Sequence, residues 1–202
     1  MLESEAKWFK KAIDEIDITY LSPIINIGSN SAYFRKKIHP WIEFELFGPL
    51  LKDGAKIHHT DIINQDGVDL VGDLQDEVFL NSLKNMKFNS VFCTHLFEHV
   101  VNREEISKVI EDIITSGGYL FISCPYQFPY HPGPIDTMYR PNIDELKSLF
   151  PNTQLVRSSL VSEYVLFYLL TRILKNPFEV IKKYQQKVLI KKIMSKWLVW
   201  EH

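Results

Sequence analysis

The sequence predicts a protein of the α/β class, with helices on both faces of a mostly parallel central sheet. Short apolar runs alternate with helical patterns from residue 24 to residue 124. The runs at 24–27, 90–94 and 118–124 are too continuous for strands with one face in water, and such runs are typical of parallel strands buried on both sides. With 202 residues, 46% of them apolar, the chain is long enough to bury one such core. We therefore expect a three-layer sandwich.

An amphipathic helix opens the chain, because Leu2, Ala6, Phe9, Ile13 and Ile16 recur every three or four residues among charged neighbours. Strand and helix patterns then alternate. The predicted elements are strands at 24–27, 56–60, 68–71, 90–94 and 118–124, with helices from Asn30 or Ser31 to His39, at 76–86 and at 103–115.

The second half of the chain combines a long loop with further helices. The proline-rich segment 125–141 is expected to leave the carboxyl end of a strand, where open α/β sheets bind ligands. A helix at 142–150 and a strand at 154–158 follow. Beyond Ser162 we expect one helix to Leu174 and a second opened by Asn176-Pro177. The second has apolar residues on one side (Val180, Ile181, Tyr184, Val188, Ile193, Trp197, Leu198) and lysines on another (Lys182, Lys183, Lys187, Lys191).

These last helices are predicted to form a C-terminal helical extension, residues 163–202, packed on an α/β domain of residues 1–162. They leave little sequence for a further pair of strands. The extension contains eight Lys or Arg against three Glu, although the whole chain has a formal charge of only −2. Its basic face is expected to be the solvated side of a helix that completes the fold or contacts a second copy of the chain. Contacts with an anionic membrane surface or with nucleic acid are the alternatives.

Overall charge and cysteine usage narrow the class of protein. A net charge of −2 gives no general case for nucleic-acid binding. Cys93 and Cys124 both fall inside apolar strand patterns, which indicates small core side chains in a reducing compartment. The N-terminus lacks the pattern of a signal peptide, so we expect a cytoplasmic protein.

The turn after the first strand is the clearest functional signal. The run Ile24 to Ile27 breaks at Gly28 and resumes as a helix after Ser29 and Asn30. Such a turn brings backbone N–H groups and the positive end of a helix dipole to one point, where an anionic group of a nucleotide-like cofactor can bind. A glycine at a strand end is by itself also ordinary turn chemistry.

Five segments in order resemble class I S-adenosylmethionine-dependent methyltransferases, of the broad type 11-like group with a Glu-His sequence after the fourth strand. They are Ile24 to Asn30, Asp61, Gly67 to Leu74, Phe92 to Val100 and Gly117 to Pro125. The resemblance implies a Rossmann-like fold with S-adenosylmethionine as the cofactor. It also implies which residues bind that cofactor: Gly28, Ser29, Asn30, Asp61, Ile62, Asp73, Leu74, Thr94 and His95.

Within that resemblance, Asp61 is the residue expected to hold the ribose hydroxyls, because a carboxylate accepts two hydrogen bonds from vicinal hydroxyls. Asp73 and Leu74 are expected at the adenine. The sequence departs from the family at three positions: Asn30 and Ala32 replace glycines, and Asn26 replaces a common acidic residue. Asparagine tolerates positive φ, so the turn is expected to survive at Asn30.

The loop after the fifth strand is the expected acceptor side, because similar methyltransferases carry an aromatic, proline-rich His-Pro segment there. His131 is predicted as the catalytic base, with Asp136 orienting it. Packing within a rigid loop is the alternative role for His131. Tyr126, Phe128 and Tyr130 would form an apolar wall.

The segment His95-Leu96-Phe97-Glu98-His99 also fits the H-x-x-E-H pattern of inverted zinc peptidases. That pattern needs one helix through both histidines, whereas His95 follows a strand directly. No metal site is therefore predicted. The predicted function is transfer of a methyl group from S-adenosylmethionine to a small-molecule or saccharide-like acceptor. The alternative is a catalytically degenerate domain that serves as a binding or scaffolding module.

Overall fold

Seven strands form the central sheet of the computed structural model, which describes residues 1–131, 135–163 and 193–201. The strands are β1 (Ile24–Ile27), β2 (Ile57–Asp61), β3 (Leu70–Val71), β4 (Phe88–Thr94), β5 (Ile114–Gln127), β6 (Gln154–Glu163) and β7 (Ile193–Glu201). Their order across the sheet is β3-β2-β1-β4-β5-β7-β6. β1 to β5 are parallel, whereas β7 runs antiparallel to both β5 and β6.

Helices lie between most of the strands. They are α1 (Glu3–Ile13), α2 (Ile18–Leu21), α3 (Gly48–Lys52), α4 (Glu77–Met86), α5 (Arg103–Ile113) and α6 (Ile143–Ser148). Two short helices with π-type hydrogen bonding, Phe34–Ile38 and Ile42–Phe47, follow the first strand, and a 3₁₀ turn, Phe97–His99, follows the fourth. None of the helices in the described part of the chain has the length and apolar character needed to cross a membrane.

Apolar side chains cover both faces of the sheet. On one face, α4 and α5 contribute Leu83 and Ile110 to a core with Val91 and Leu120. On the other face, the rings of Phe92 and Phe121 stack with their centroids 4.4 Å apart, and the Phe9 ring of α1 meets both edge-on. The predicted sheet with two buried faces is confirmed.

The element predictions hold best where capping signals are local. Asp76 caps α4 by accepting a hydrogen bond from the Phe79 N–H, and Asn142 forms a capping box with Glu145 at the start of α6. The sequence predicted no element between Pro40 and Lys56, where the structure has the helix Ile42–Phe47 and α3. Phe47 packs edge-on against Phe92, so this segment belongs to the core.

The prediction for the end of the chain is wrong. Residues 193–201, expected to end a helix, form β7, and β7 with β6 supplies the strand pair for which the sequence was expected to be too short. Ile, Trp and Val residues favour strands as well as apolar helix faces, and pairing with β5 on one side and β6 on the other decides between them. Ser162 and Glu163, expected at the start of a helix to Leu174, end β6 instead. The rest of that predicted helix and the predicted basic helix surface at residues 176–192 lie outside the described residues.

Candidate functional site

A cleft of about 870 Å³ lies at the carboxyl ends of β1, β2 and β4. Every residue predicted to bind the cofactor lines this cleft: Gly28, Ser29, Asn30, Asp61, Ile62, Asp73, Leu74, Thr94 and His95. A second depression, of about 650 Å³, is lined only by residues between Lys36 and Asp53 and meets no strand end. The first cleft is therefore the candidate site, because the turn and the acidic residues converge there.

The turn after β1 has the backbone that its sequence predicts. Gly28 has φ +66° and Asn30 has φ +55°, so asparagine does adopt the left-handed conformation at the position of a family glycine. The Asn30 side chain folds back onto its own turn, since its Oδ1 accepts a hydrogen bond of 2.7 Å from the Ser31 N–H. Ser31 Oγ in turn accepts from the Phe34 N–H and caps the helix that follows.

Asp61 joins the end of β2 to this turn. One carboxylate oxygen accepts from the Asn30 N–H at 2.9 Å, and the other accepts from the Ile63 N–H at 3.1 Å. Each carboxylate oxygen has a second acceptor site, so the group can also bind hydroxyls of a ligand in the cleft. Asp61 thus positions the turn as well as facing the cleft.

A buried arginine holds the turn from behind. Arg35 is only 2% exposed, and its guanidinium donates to the carbonyl oxygens of Ser29, Asn30 and Gly67. Burial lowers the pKa of Arg35, although surrounding carboxylates oppose that shift. Ala32, the second position where similar methyltransferases have a glycine, packs directly against Gly67. A Cβ added to Gly67 would lie only 2.5 Å from the Cβ of Ala32, so the side chain of Ala32 has room only because residue 67 is glycine.

The side chain of Asn26, the third substituted position, is hydrogen-bonded to a residue of the neighbouring strand. Its side-chain nitrogen lies 3.1 Å from Nδ1 of His59 on β2, and both side chains are buried. Burial and the nearby charge of Arg35 lower the pKa of His59 to about 4, so the ring is neutral at pH 7. Asn26 is therefore the donor in this pair and Nδ1 is the acceptor.

Replacing His59 with glutamine should flatten the pH dependence of stability below neutrality. The pKa of His59 is about 4 in the folded protein and 6.5 in the unfolded chain, so below pH 6.5 the unfolded chain binds the extra proton. The contribution of neutral His59 to the free energy of unfolding is therefore complete above pH 6.5 and is lost as the pH falls from 6.5 through the folded pKa. Between pH 7.5 and pH 5, urea unfolding of the wild type should lose about 1 to 2 kcal/mol more than His59→Gln loses. Equal losses would show that His59 titrates normally. His39, which also has a pKa of about 4, is unchanged in both proteins.

Asp73 is the second acidic residue that lines the cleft. Asp73 and Leu74 follow β3, and one Asp73 oxygen accepts from the Gln75 N–H at 2.9 Å, which holds the loop in a turn. The preceding Gly72 packs against the Phe79 ring of α4, where a Cβ would lie 2.5 Å from the ring carbons. The loop therefore runs close against α4 and brings Asp73 to the cleft.

At the end of β4, His95 lies between two buried carboxylates. Its Nε2 is 2.5 Å from an oxygen of Glu5 on α1, and its Nδ1 is 3.3 Å from an oxygen of Glu98. The side chains of Glu5 and Glu98 are 0% and 2% exposed. Burial opposes the charge on His95, but the two carboxylates outweigh it and raise its pKa. Burial likewise opposes ionisation of Glu98, but His95 outweighs it and lowers that pKa.

Sequence reasoning missed Glu5 and Arg35. Glu5 lies between Leu2 and Phe9 on the apolar face of the first helix, and a carboxylate on that face was the available signal. Its partner His95 is ninety residues away in sequence, and no local pattern connects them. Arg35 gave no signal, because it reads as an ordinary basic residue of an exposed helix.

The predicted acceptor residues lie beside the cleft. Asp136 accepts a hydrogen bond from the His131 N–H at 3.1 Å and forms a two-point ion pair with Arg140, which holds the pKa of Asp136 well below its usual range. The His131 ring contacts the ring of His99, with centroids 5.1 Å apart, and His99 lines the cleft. Residues 132–134 of the predicted acceptor loop lie outside the described residues.

The geometry excludes the zinc-peptidase arrangement for residues 95–99. His95 has φ +54°, and the only helical residues in this segment are the 3₁₀ turn Phe97–His99. His95 and His99 are therefore not one α-helical turn apart. His95 instead pairs with Glu5, as described above.

The chain is similar in structure to several solved methyltransferases. It matches a SAM-dependent methyltransferase from Mesorhizobium loti with a TM-score of 0.53 and 11% identity, covering 98% of both chains. A SAM-dependent methyltransferase from Archaeoglobus fulgidus has a TM-score of 0.50 and 12% identity, over 98% of this chain and 94% of that one. The chain has the class I SAM-dependent methyltransferase fold. Coclaurine N-methyltransferase, bound to N-methylheliamine and SAH, shares this methyltransferase fold with a TM-score of 0.54 and 14% identity, over 89% of this chain and 65% of that one.

Comparison by sequence alone does not detect this similarity. No family model matches it, and a search of curated proteins found no match. The methyltransferase fold expected from the five short motifs is nevertheless confirmed, because strand order and overall superposition depend on backbone geometry rather than on residue identity.

Proposed function

We propose that this protein is an S-adenosylmethionine-dependent methyltransferase. The observation that carries the proposal is the convergence of the Gly28–Asn30 turn, Asp61 and Asp73 on one cleft at the carboxyl ends of parallel strands. Open α/β sheets bind nucleotide-like ligands at such edges. A cleft of about 870 Å³ has the size of a cofactor site, and structures with this fold are SAM-dependent methyltransferases.

The chemistry of the lining residues fits this cofactor. Asp61 has acceptor sites for the ribose hydroxyls, and Asp73 and Leu74 line the wall where the adenine would bind. Thr94 and His95 line the cleft at the end of β4, and the contacts of His95 with Glu5 and Glu98 hold its ring in place there. When bound, S-adenosylmethionine supplies an activated methyl group for in-line displacement.

The protein's own contribution is to position an acceptor and to take up a proton from it. His131 is the proposed base, and its ring contacts His99 at the edge of the cleft. Asp136, the proposed orienting residue, accepts a hydrogen bond from the His131 backbone N–H and lies 3.8 Å from Nε2 of the ring. Arg140 fixes Asp136, and it also donates to the Phe128 carbonyl oxygen. We propose a small-molecule or saccharide-like acceptor, by analogy with methyltransferases that carry a similar His-Pro loop.

One observation favours the alternative of a non-catalytic binding or scaffolding domain. Asn26 is neutral and hydrogen-bonded to His59, so the position where the family often has an acid offers no charge to a ligand. The turn, Asp61 and Asp73 remain intact around it, and for this reason we place the methyltransferase function first.

Isothermal titration calorimetry with S-adenosylhomocysteine and S-adenosylmethionine separates the two functions. A methyltransferase should show saturable one-to-one binding of both ligands, with dissociation constants below about 1 mM. The absence of heat at millimolar ligand would contradict the cofactor assignment and leave the scaffolding function. If binding is found, release of S-adenosylhomocysteine in the presence of candidate sugars and small alcohols then tests the acceptor class.

A further inference from the structure

Two histidines and a buried glutamate form a cluster beside the cleft, and two of its members, Glu98 and His99, have no role in the proposed methyl transfer. Glu98, His99 and His131 each present one potential ligand atom, and these three atoms lie within 4.8 Å of one another. The cluster borders the cleft through His99. Two imidazoles and one carboxylate form a donor set suited to first-row transition metals.

The hydrogen bond of His99 fixes which of its nitrogens is available. Nδ1 contacts the carbonyl oxygen of Ile135, and a carbonyl can only accept, so Nδ1 carries the proton. The second ring nitrogen, Nε2, is the one available to a ligand, and it lies 4.0 Å from Oε1 of Glu98. Metal-binding histidines commonly donate their second nitrogen to a carbonyl or carboxylate in this way.

The surroundings also hold the cluster in place. The Glu98 side chain is 2% exposed, and the Glu98 carbonyl accepts hydrogen bonds from both the N–H and the hydroxyl of Thr137. Arg103 donates to that same hydroxyl, which ties the 135–140 segment to the 3₁₀ turn. The Asp136 carboxylate lies 3.8 Å from Nε2 of His131. The ligand atoms therefore come from two segments that are already docked together.

We propose that Glu98, His99 and His131 bind one divalent transition-metal ion, with Zn²⁺ as the representative ion. Metal–ligand bonds of about 2.0 to 2.2 Å require the ligand atoms to close together by roughly 1 Å, which side-chain rotations can supply. Three protein ligands leave coordination positions open, as in catalytic rather than structural metal sites. Because His99 lines the cleft, an oxygen of an acceptor bound there could take one of these positions. Metal binding to the protein alone does not depend on the proposed methyltransferase activity. A neutral imidazole has one basic nitrogen, so His131 would be a ligand in the metal-bound protein and could act as a base only in the metal-free protein.

Competition for Zn²⁺ against a chromophoric chelator, with the full chain and no S-adenosyl ligand, tests this proposal. The wild type should bind one Zn²⁺ per chain, and His99→Ala and His131→Ala should each weaken binding at least about tenfold. His58→Ala is the matched control, because His58 lies on β2, is not part of the cluster, and should change the affinity less than about twofold. Binding of Co²⁺ should give visible absorption that both cluster variants lose.

Two results would overturn the proposal. One is wild-type binding of Zn²⁺ that is non-saturable or no tighter than that of His99→Ala. The other is a histidine NMR spectrum at pH 7.5 in which His99 is an imidazolium ion paired with Glu98 and does not change when Zn²⁺ is added. Because calorimetry with S-adenosylhomocysteine is independent of both measurements, failure of the metal site and failure of the cofactor assignment are distinguishable.

Discussion

Substitution of Gly67 by alanine should destabilise the protein by about 3 kcal/mol, measured as the change in the free energy of unfolding in urea. Gly67 has φ +76°, which strains any residue with a Cβ. The added Cβ would also lie 2.5 Å from the Cβ of Ala32 and 3.0 Å from a guanidinium nitrogen of Arg35. Both neighbours are fixed, since the Ala32 N–H donates to the Asp66 carbonyl and Arg35 donates to the Gly67 carbonyl.

Gly54→Ala is the matched control for this effect. Gly54 has φ +92°, but a Cβ there would meet nothing within 4 Å, so the loss should be only the backbone strain of about 1 kcal/mol. The double variant Gly67→Ala with Ala32→Gly should show a favourable coupling of about 1 kcal/mol, because the closest contact is removed. Equal losses for Gly67→Ala and Gly54→Ala would show that the loop at Gly67 adjusts and that Ala32 and Gly67 are not packed as described.

Substitution of Asp61 by alanine should weaken the binding of S-adenosylhomocysteine by about 2 kcal/mol, or roughly 30-fold in the dissociation constant, measured by calorimetry. The variant removes the proposed acceptors of the ribose hydroxyls. It also removes the hydrogen bond from the Asn30 N–H that holds the turn, so two parts of the cleft change together.

Asp53→Ala is the control, because Asp53 is exposed at the end of α3 and does not line the cleft. Its affinity for S-adenosylhomocysteine should equal that of the wild type. Asp61→Asn keeps one acceptor oxygen and should fall between the wild type and Asp61→Ala. Unchanged affinity in Asp61→Ala, with cooperative unfolding retained, would remove Asp61 from the cofactor site.

The residues of the cleft differ in how far the sequence could identify them. Gly28, Asp61, Asp73 and Thr94 each lie at the end of a strand pattern or within two residues after it, and the carboxyl ends of parallel strands meet at one edge. Their convergence could therefore be predicted once the strands were assigned. Glu5 and Arg35 could not, because their partners are His95, Gly67 and the turn carbonyls, which are distant in sequence or belong to the backbone.

The secondary-structure predictions show the same limit. For α4 and α6, the caps Asp76 and Asn142 lie next to the helices that they start, and the sequence was sufficient. For residues 193–201, the same apolar residues suit a helix face or a strand, and the choice depends on edges offered by β5 and β6.

By itself, the sequence determined the α/β class, the positions of β1 to β5 and the left-handed turn at Gly28 and Asn30, because periodicity, capping and backbone preference act within a few neighbouring residues. Only the tertiary structure decided that β7 completes the sheet, that Glu5 and Glu98 enclose His95, and that His99 meets His131. These arrangements depend on pairing and burial between segments that are far apart along the chain. A short segment of sequence therefore does not reveal how much these contacts stabilise the fold.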